Sequence, residues 1–151
     1  MLETFEYPKV YLYRRIVEAK IFIDENFSEK IDLDNIAVES CFSKFHFIRL
    51  FKKAYRKTPH RYLTDVRLDH AKELLAENIS VSEVCFSVGF DSITSFTGLF
   101  KKSTGLTPSA FQKKQLLIQS EIQKVPLKFV PHCFAKAKGW IEKSNFEEVN
   151  V

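Results

Sequence analysis

Seven cationic side chains crowd one stretch of the sequence. Lys44, Arg49, Lys52, Lys53, Arg56, Lys57 and Arg61 lie between Ser43 and Arg61, with no acid among them. Cations at that density attract a polyanion, because each phosphate they neutralise releases condensed counterions. A guanidinium fork can also engage two acceptors on one base edge. On charge alone, a solvated helix face carries the same pattern, so the geometry of the segment has to decide. Other chemistries find little to work with. His46, His60, His70 and His132 form no His-x-x-x-His or Glu-flanked zinc pattern. His132 and Cys133 are adjacent, a spacing that does not favour both side chains facing one metal or substrate. The four glycines, at 89, 98, 105 and 139, are too scattered for a phosphate-cradling loop. His46 and His70 read as surface or packing residues. The expectation is a chain with no catalytic residues, no metal and no cofactor.

The elements that must position the cations come from an ordinary globular composition: 151 residues, 45% apolar and 28% charged. That supports one core or two small ones. Four Gly and five Pro exclude collagen-like and Pro/Gly-rich disordered chains. No apolar run approaches the roughly 18 residues of a membrane span, and Met1 to Glu6 has neither a basic nor an apolar leader region. Cys41, Cys85 and Cys133 are far apart and odd in number, which suits buried thiols in a reducing cytosol. The net charge of +4 hides a gradient: −4 over residues 1–42, +7 over 43–116 and +1 over 117–151.

An internal repeat organises the middle of the chain. At an offset of 49 residues, Ser43, Phe47, Leu50, Phe51, Lys52, Lys53, Thr58 and Pro59 recur as Ser92, Phe96, Leu99, Phe100, Lys101, Lys102, Thr107 and Pro108. Tyr62 and Phe111 are both aromatic. Upstream, Leu33–Ile36 and Val81–Val84 align at an offset of 48, so one extra residue near Asp91 enters the second copy. A period this long implies two copies of one supersecondary unit.

Each copy reads as a short helix, a turn and a longer helix. In the first, Asp32 or Asp34 caps a helix to about Ser40, with Leu33, Ile36 and Ala37 inward. Cys41-Phe42 turns the chain and Ser43 caps the next helix. There Phe47, Leu50, Phe51 and Ala54 face in, while Lys44, Phe45, Ile48, Arg49 and Lys52 face largely out. In the second, Val81, Val84, Cys85 and Val88 mark the short helix. Gly89-Phe90 turns the chain, and Asp91 or Ser92 caps a helix with Phe96, Leu99 and Phe100 inward. A tight turn before a helix with a basic outer face is the helix-turn-helix pattern, whose second helix fits a major groove about 12 Å wide. Between the copies, Pro59 to Glu77 reads as one helix with Tyr62, Leu63, Val66, Ala71, Leu74 and Leu75 buried. Its length of roughly 28 Å approaches the roughly 34 Å between major grooves on one face of DNA.

These residues resemble the DNA-binding domain of the AraC/XylS family of bacterial transcription regulators. The likeness rests on Ile36-Ala37 through Phe42-Ser43, Phe47-x-Arg49-x-Phe51-Lys52-Lys53, Thr58-Pro59-x-x-Tyr62-Leu63 and Arg67-Leu68-x-x-Ala71-x-x-Leu74-Leu75. It continues through Val84-x-x-x-Val88-Gly89-Phe90-x-Ser92, Phe96-x-x-Leu99-Phe100-Lys101-Lys102 and Gly105-x-Thr107-Pro108-x-x-Phe111. It covers about residues 10–115.

The resemblance implies an all-α fold of two helix-turn-helix subdomains joined by a long helix, within residues 8–115. The first unit is 8–58, the linker helix 59–77 and the second unit 78–115, with 116–151 as a C-terminal extension. It implies sequence-specific binding of promoter double-stranded DNA by recognition helices at about 43–54 and 92–103. It also implies RNA polymerase as the usual partner of an activator, and a place in the bacterial cytoplasm with the nucleoid.

Carried over position by position, Lys44, Phe45, Ile48 and Arg49 face bases. Arg49 takes guanine or a phosphate, Phe45 and Ile48 meet thymine methyls, and Lys52 and Lys53 contact phosphate. The second helix departs from the pattern, with Gly98 where the family often has Arg. Its face of Ser92, Ile93, Thr94, Ser95, Thr97 and Gly98 has no charge before Lys101 and Lys102. That half is expected to read sequence weakly and to position through backbone groups. Thr107 is expected to cap the next helix, whose start can donate to a phosphate.

Only about nine residues precede the first expected helix, Val10–Phe27. A complete N-terminal sensor domain, which many family members carry, is therefore not expected here. The start Met and free-standing tail favour a single-domain regulator over a fragment. In the tail, Leu116, Leu117, Ile118 and Ile122 prolong a helix, and Leu127–Val130 looks strand-like between Pro126 and Pro131. Phe134, Trp140, Ile141 and Phe146 make it too apolar for a plain disordered end. It could pack on the domain, pair with another copy to give a homodimer, or bind an effector or protein. The last is the alternative function, with DNA binding then secondary.

Overall fold

The computed structural model describes residues 8–31 and 43–140. The expected helix from Asp32 or Asp34 to Ser40, its inward residues, the Cys41-Phe42 turn, Ile141 and Phe146 lie outside the described residues. The described elements are α1 (Pro8–Asn26), α2 (Lys44–Tyr55), α3 (Pro59–Ala76), α4 (Val81–Ser87), α5 (Ile93–Thr104) and α6 (Pro108–Lys124). A 3-10 turn (Pro126–Phe129) and α7 (His132–Ala137) follow. Regular structure among the described residues is helical throughout, as expected, and no described helix is long and apolar enough to cross a membrane.

The repeat seen in the sequence is a repeat of helix ends. Ser43 and Ser92 are extended and accept from the amides of His46 (3.3 Å) and Ser95 (3.1 Å). Each satisfies an amide that the first helical turn leaves without a partner. Of the two candidate caps for α5, Ser92 is the one used. Arg56 and Gly105 then close α2 and α5 in the left-handed region, at φ 61° and 78°. Their amides donate to the Lys52 and Lys101 carbonyls. Thr58 and Thr107 cap α3 and α6 by accepting from Arg61 and Ala110, with Pro59 and Pro108 in the first turn. Proline is suited there because it has no amide to lose and a preset φ.

Two apolar cores lie along α3. The first joins Ile16, Ala19 and Ile23 of α1, Phe47 and Phe51 of α2 and Leu63 of α3. The second joins Leu68, Ala71 and Leu75 of α3 to Val84, Cys85, Val88, Phe90, Phe96 and Phe100. Phe47, Phe51, Phe96 and Phe100 are fully buried, each contributing about 1.5–3 kcal/mol by removal from water. Phe27 packs against both cores. The Tyr62 ring lies edge-on to Phe51 at 5.7 Å and the Phe111 ring edge-on to Phe100 at 5.4 Å, the same contact in each copy.

Some expectations need correction. Ala54 is exposed, and in the last turn of α2 Tyr55 packs on the first core instead. Leu50, Tyr62, Val66, Leu74 and Leu99 are half-buried rather than buried, and Leu68 and Thr64 join the buried face of α3. Cys85 is buried as expected, whereas Cys133 is exposed. Leu127–Val130 is not a strand: Pro126 opens a 3-10 turn and Lys128 and Val130 donate to the carbonyls of Val125 and Leu127. Leu116, Leu117, Ile118 and Ile122 do prolong a helix, since α6 runs to Lys124, and residue 115 falls inside it. Gln112 and Gln119 fasten α6 to the end of α3 by donating to the carbonyls of Ile79 (2.6 Å) and Ala76 (3.0 Å).

Candidate nucleic-acid interface

The outward surface of α2 begins with Lys44 and Phe45 and continues through Arg49, Lys52 and Lys53, all exposed. Phe45 is 77% exposed, an unusual setting for a phenyl ring at the start of a cationic helix. Ile48 departs from its expected outward setting. It is half-buried against the first core, so the buried arc of α2 is wider than the apolar stripe suggests.

The cationic stretch is also smaller in space than in sequence. Asp65 of α3 reaches back to Lys57 (2.7 Å) and Arg61 (3.1 Å) with its carboxylate largely covered. Two of the seven cations thereby share one carboxylate, which offsets one of their two charges. Among the described residues, Arg49, Lys52 and Lys53 take part in no ion pair. Lys52 and Lys53 lie in the last turn of α2 and Lys101 and Lys102 in that of α5, where the helix dipole favours cations.

On α5, Ser92, Ile93, Thr94, Ser95, Gly98, Lys101 and Lys102 are exposed, whereas Thr97 is half-buried. The Ser92 hydroxyl is occupied by its cap and by Ser95 Oγ, 3.1 Å away. No heavy atom lies within 4 Å of a Cβ built on Gly98, so this part of α5 presents bare backbone to the outside. Thr107 is half-buried and its hydroxyl accepts from Ala110 at the start of α6.

What fixes α2 and α5 relative to one another is the middle of α3, which spans roughly 27 Å. Arg67 donates from Nε to the Phe27 carbonyl (2.7 Å) and from Nη2 to the Glu29 carbonyl (2.9 Å). Its guanidinium lies 5.7 Å from the centre of the Phe90 ring. Burial pulls its pKa below the usual arginine value, and the charge of Asp91 opposes that shift. Gly89 makes the close approach possible. At φ +88° it comes so near the first unit that a Cβ there would sit 2.7 Å from the Ser28 carbonyl and 2.9 Å from Arg67 Nη2. One step along α3, His70 lies flat on Phe27. The sequence marks Arg67 only as a motif position and does not mark Phe27 as a packing residue. The available signal was an arginine four residues from both Leu63 and Ala71, in line with the buried face of α3.

In the extension, Leu117, Val125, Phe134 and Trp140 are exposed and Ala135 is buried. The Phe134 and Trp140 rings meet edge-on at 5.6 Å.

Comparison with known proteins agrees with this architecture. A family described as a helix-turn-helix domain matches residues 36–114. The HTH-type transcriptional activator AarP of Providencia stuartii is 33% identical over 98 residues, which are 64% of this chain and 73% of AarP. The chain spans about half the length of other curated relatives it matches. The structure superposes on the DNA-binding domain of AdpA, a global transcriptional factor solved with a target DNA. The TM-score is 0.63 and the identity 25%, over 74% of this chain and 96% of that one. It shares its fold with a probable AraC family transcriptional regulator from Rhodopseudomonas palustris CGA009. There the TM-score is 0.61 and the identity 20%, over 68% of this chain and 97% of that one.

Proposed function

This chain belongs to the AraC-type helix-turn-helix family of transcription regulators, and from that premise we propose that it binds promoter duplex DNA sequence-specifically, with α2 and α5 in successive major grooves. The observation that carries the reading is the matched pair of helices. Both are capped by serine, closed by a left-handed residue, ended by two lysines and held on one rigid helix. Arg49 is the principal base reader, its fork suiting guanine O6 and N7. Lys44 supports it, Phe45 covers a thymine methyl, and Ile48 contributes only its exposed edge. Lys52, Lys53, Lys101 and Lys102 set the register on phosphates. Ser92, Ile93, Thr94 and Thr97 read weakly, Gly98 lets the backbone approach, and the helix start after Thr107 donates to a phosphate.

As an activator, the protein would work beside RNA polymerase on the nucleoid of a bacterial cytoplasm. The test is enrichment of genomic fragments by the purified chain at near-physiological salt. The expected motif has one sharp block and a looser block about a helical turn away. Equal retention of every sequence would overturn specific reading.

A second reading is favoured by the exposed Leu117, Val125, Phe134 and Trp140: the extension binds an effector or protein. Replacing Phe134 and Trp140 by alanine would then abolish that binding and leave DNA affinity intact.

A further inference from the structure

The first helix has two apolar faces, and among the described residues only one of them is buried in a core. Ile16, Ala19 and Ile23 are buried in the first core. Val10, Tyr13, Val17 and Ile21 form a second stripe, at steps of three, four and four residues, and are 68%, 44%, 45% and 45% exposed. Residues at that spacing share one side of a helix. Contiguous apolar surface of this kind marks an interaction site rather than ordinary scatter.

The stripe is self-complementary. Two copies of α1 laid antiparallel about a two-fold axis near residues 15 and 16 place Val10 over the partner's Ile21 and Tyr13 over the partner's Val17. The same register brings Arg14 opposite the partner's Glu18. Within one chain these two are already paired at 2.9 Å along one edge of the stripe, and both are well exposed. A two-fold interface repeats each contact, so the pairing gives two such ion pairs. Net charge does not oppose it, since residues 8–31 carry five cations and four acids. The extension is a poorer self-partner: residues 113–140 carry six lysines and one glutamate, Glu121, which Lys128 already engages at 3.0 Å.

We propose that the outer stripe of α1 is a homodimerisation surface, on which a second copy of this chain docks antiparallel through Val10, Tyr13, Val17 and Ile21 with Arg14 and Glu18 exchanging partners. The pairing spans about 16 Å of helix. That places it among small, reversible interfaces rather than obligate ones. It does not depend on the DNA-binding reading.

The test is sedimentation of the full chain from about 10 μM to 1 mM at low ionic strength, where exposed ion pairs are least screened. The expected result is a concentration-dependent monomer–dimer equilibrium. V17E abolishes it, with the helical circular dichroism and melting temperature retained to show that the fold is intact. R14E and E18R each weaken self-association at least tenfold, because each sets like charges opposite one another. Mixing the two variants restores it, because only the mixed pair is complementary. A chain that stays monomeric at 1 mM overturns the proposal, as it would if the stripe is covered by another domain or protein. So does a dimer that survives V17E, or one that is lost in W140A, which would assign self-association to the extension.

Discussion

The Phe27 ring lies flat on the His70 imidazole, with centroids 4.1 Å apart and planes 2° from parallel. Beside it, Arg67 donates to the carbonyls of Phe27 and Glu29. The segment after α1 is thus held to the middle of α3 by one stack and two hydrogen bonds from an ionised group. This is also where the Gly89 turn of the second unit arrives. The relative placement of the two candidate reading helices is decided at this junction, away from the residues that would touch DNA.

Arg67→Met keeps an unbranched stem and removes both hydrogen bonds. The Phe27 carbonyl is left without its donor, whereas the Glu29 carbonyl keeps the Ile31 amide; the loss should cost about 1–3 kcal/mol, read as a lower urea midpoint at unchanged m-value. On DNA, the effect should be on spacing. The wild-type chain should discriminate against probes with one base pair inserted between the two blocks, and R67M should discriminate less. Unchanged spacing preference would show that Arg67 serves stability alone.

Three glycines should respond differently to alanine. Gly98→Ala adds a methyl to open space in a helix interior and should stabilise by about 0.5–1 kcal/mol, while weakening DNA binding where the backbone approaches. Gly105→Ala meets no neighbour but strains a left-handed residue, costing about 1 kcal/mol. Gly89→Ala adds a backbone clash to the same strain and should cost more than about 2 kcal/mol. Urea midpoints order the three.

Arg49→Ala should lose about 1–3 kcal/mol of affinity and relax preference at one base pair, whereas Lys101→Ala should weaken every sequence alike and flatten the salt dependence. Titrations of specific and scrambled duplexes at two salt concentrations separate the two. An equal loss for Arg49→Ala on both duplexes would reassign that residue to phosphate.

Alkaline pH should destabilise the first unit through Lys20 and Tyr62, which meet at the Asp24 carboxylate. Tyr62 donates to Asp24 at 2.8 Å. Burial and then that hydrogen bond push its pKa above the ordinary 10.0. Hydrogen bonds to Asp24 and Tyr62 hold the Lys20 ammonium above its ordinary 10.5. Both groups keep protons in the folded chain that the unfolded chain has already released. Stability is therefore full below pH 10 and falls as pH rises through the shifted values. The melting temperature should drop more steeply between pH 9.5 and 11 in wild type than in Tyr62→Phe. Parallel curves would remove Tyr62 as the cause.

The repeat was legible because it is written in local chemistry. Serine caps, Thr-Pro helix starts and phenylalanines at fixed spacing each constrain a few neighbouring residues, so they survive translation into structure intact. The junction was not legible. Arg67 and His70 meet partners some 40 residues away, and nothing near them in sequence marks those partners. Asp65 was invisible for a related reason. It stands just beyond the acid-free stretch in sequence, yet folds back onto Lys57 and Arg61. Leu127–Val130 misled because two prolines bracket it. A bracketed apolar run can be an edge strand or a single tight turn, and only the surrounding hydrogen bonds distinguish them. Ile48 misled because periodicity fixes the centre of a buried stripe but not its width.

The division of α3 between two cores makes the duplicated halves inseparable. Leu63 serves one and Leu68, Ala71 and Leu75 the other, so a cut on either side of the helix strips apolar surface from a half that needs it. The chain should accordingly melt in a single calorimetric transition. Amides near Leu68 should be the slowest to exchange with solvent, because they open only when both halves come apart. The repeat written in the sequence is thus carried by one cooperative unit rather than by two separable ones.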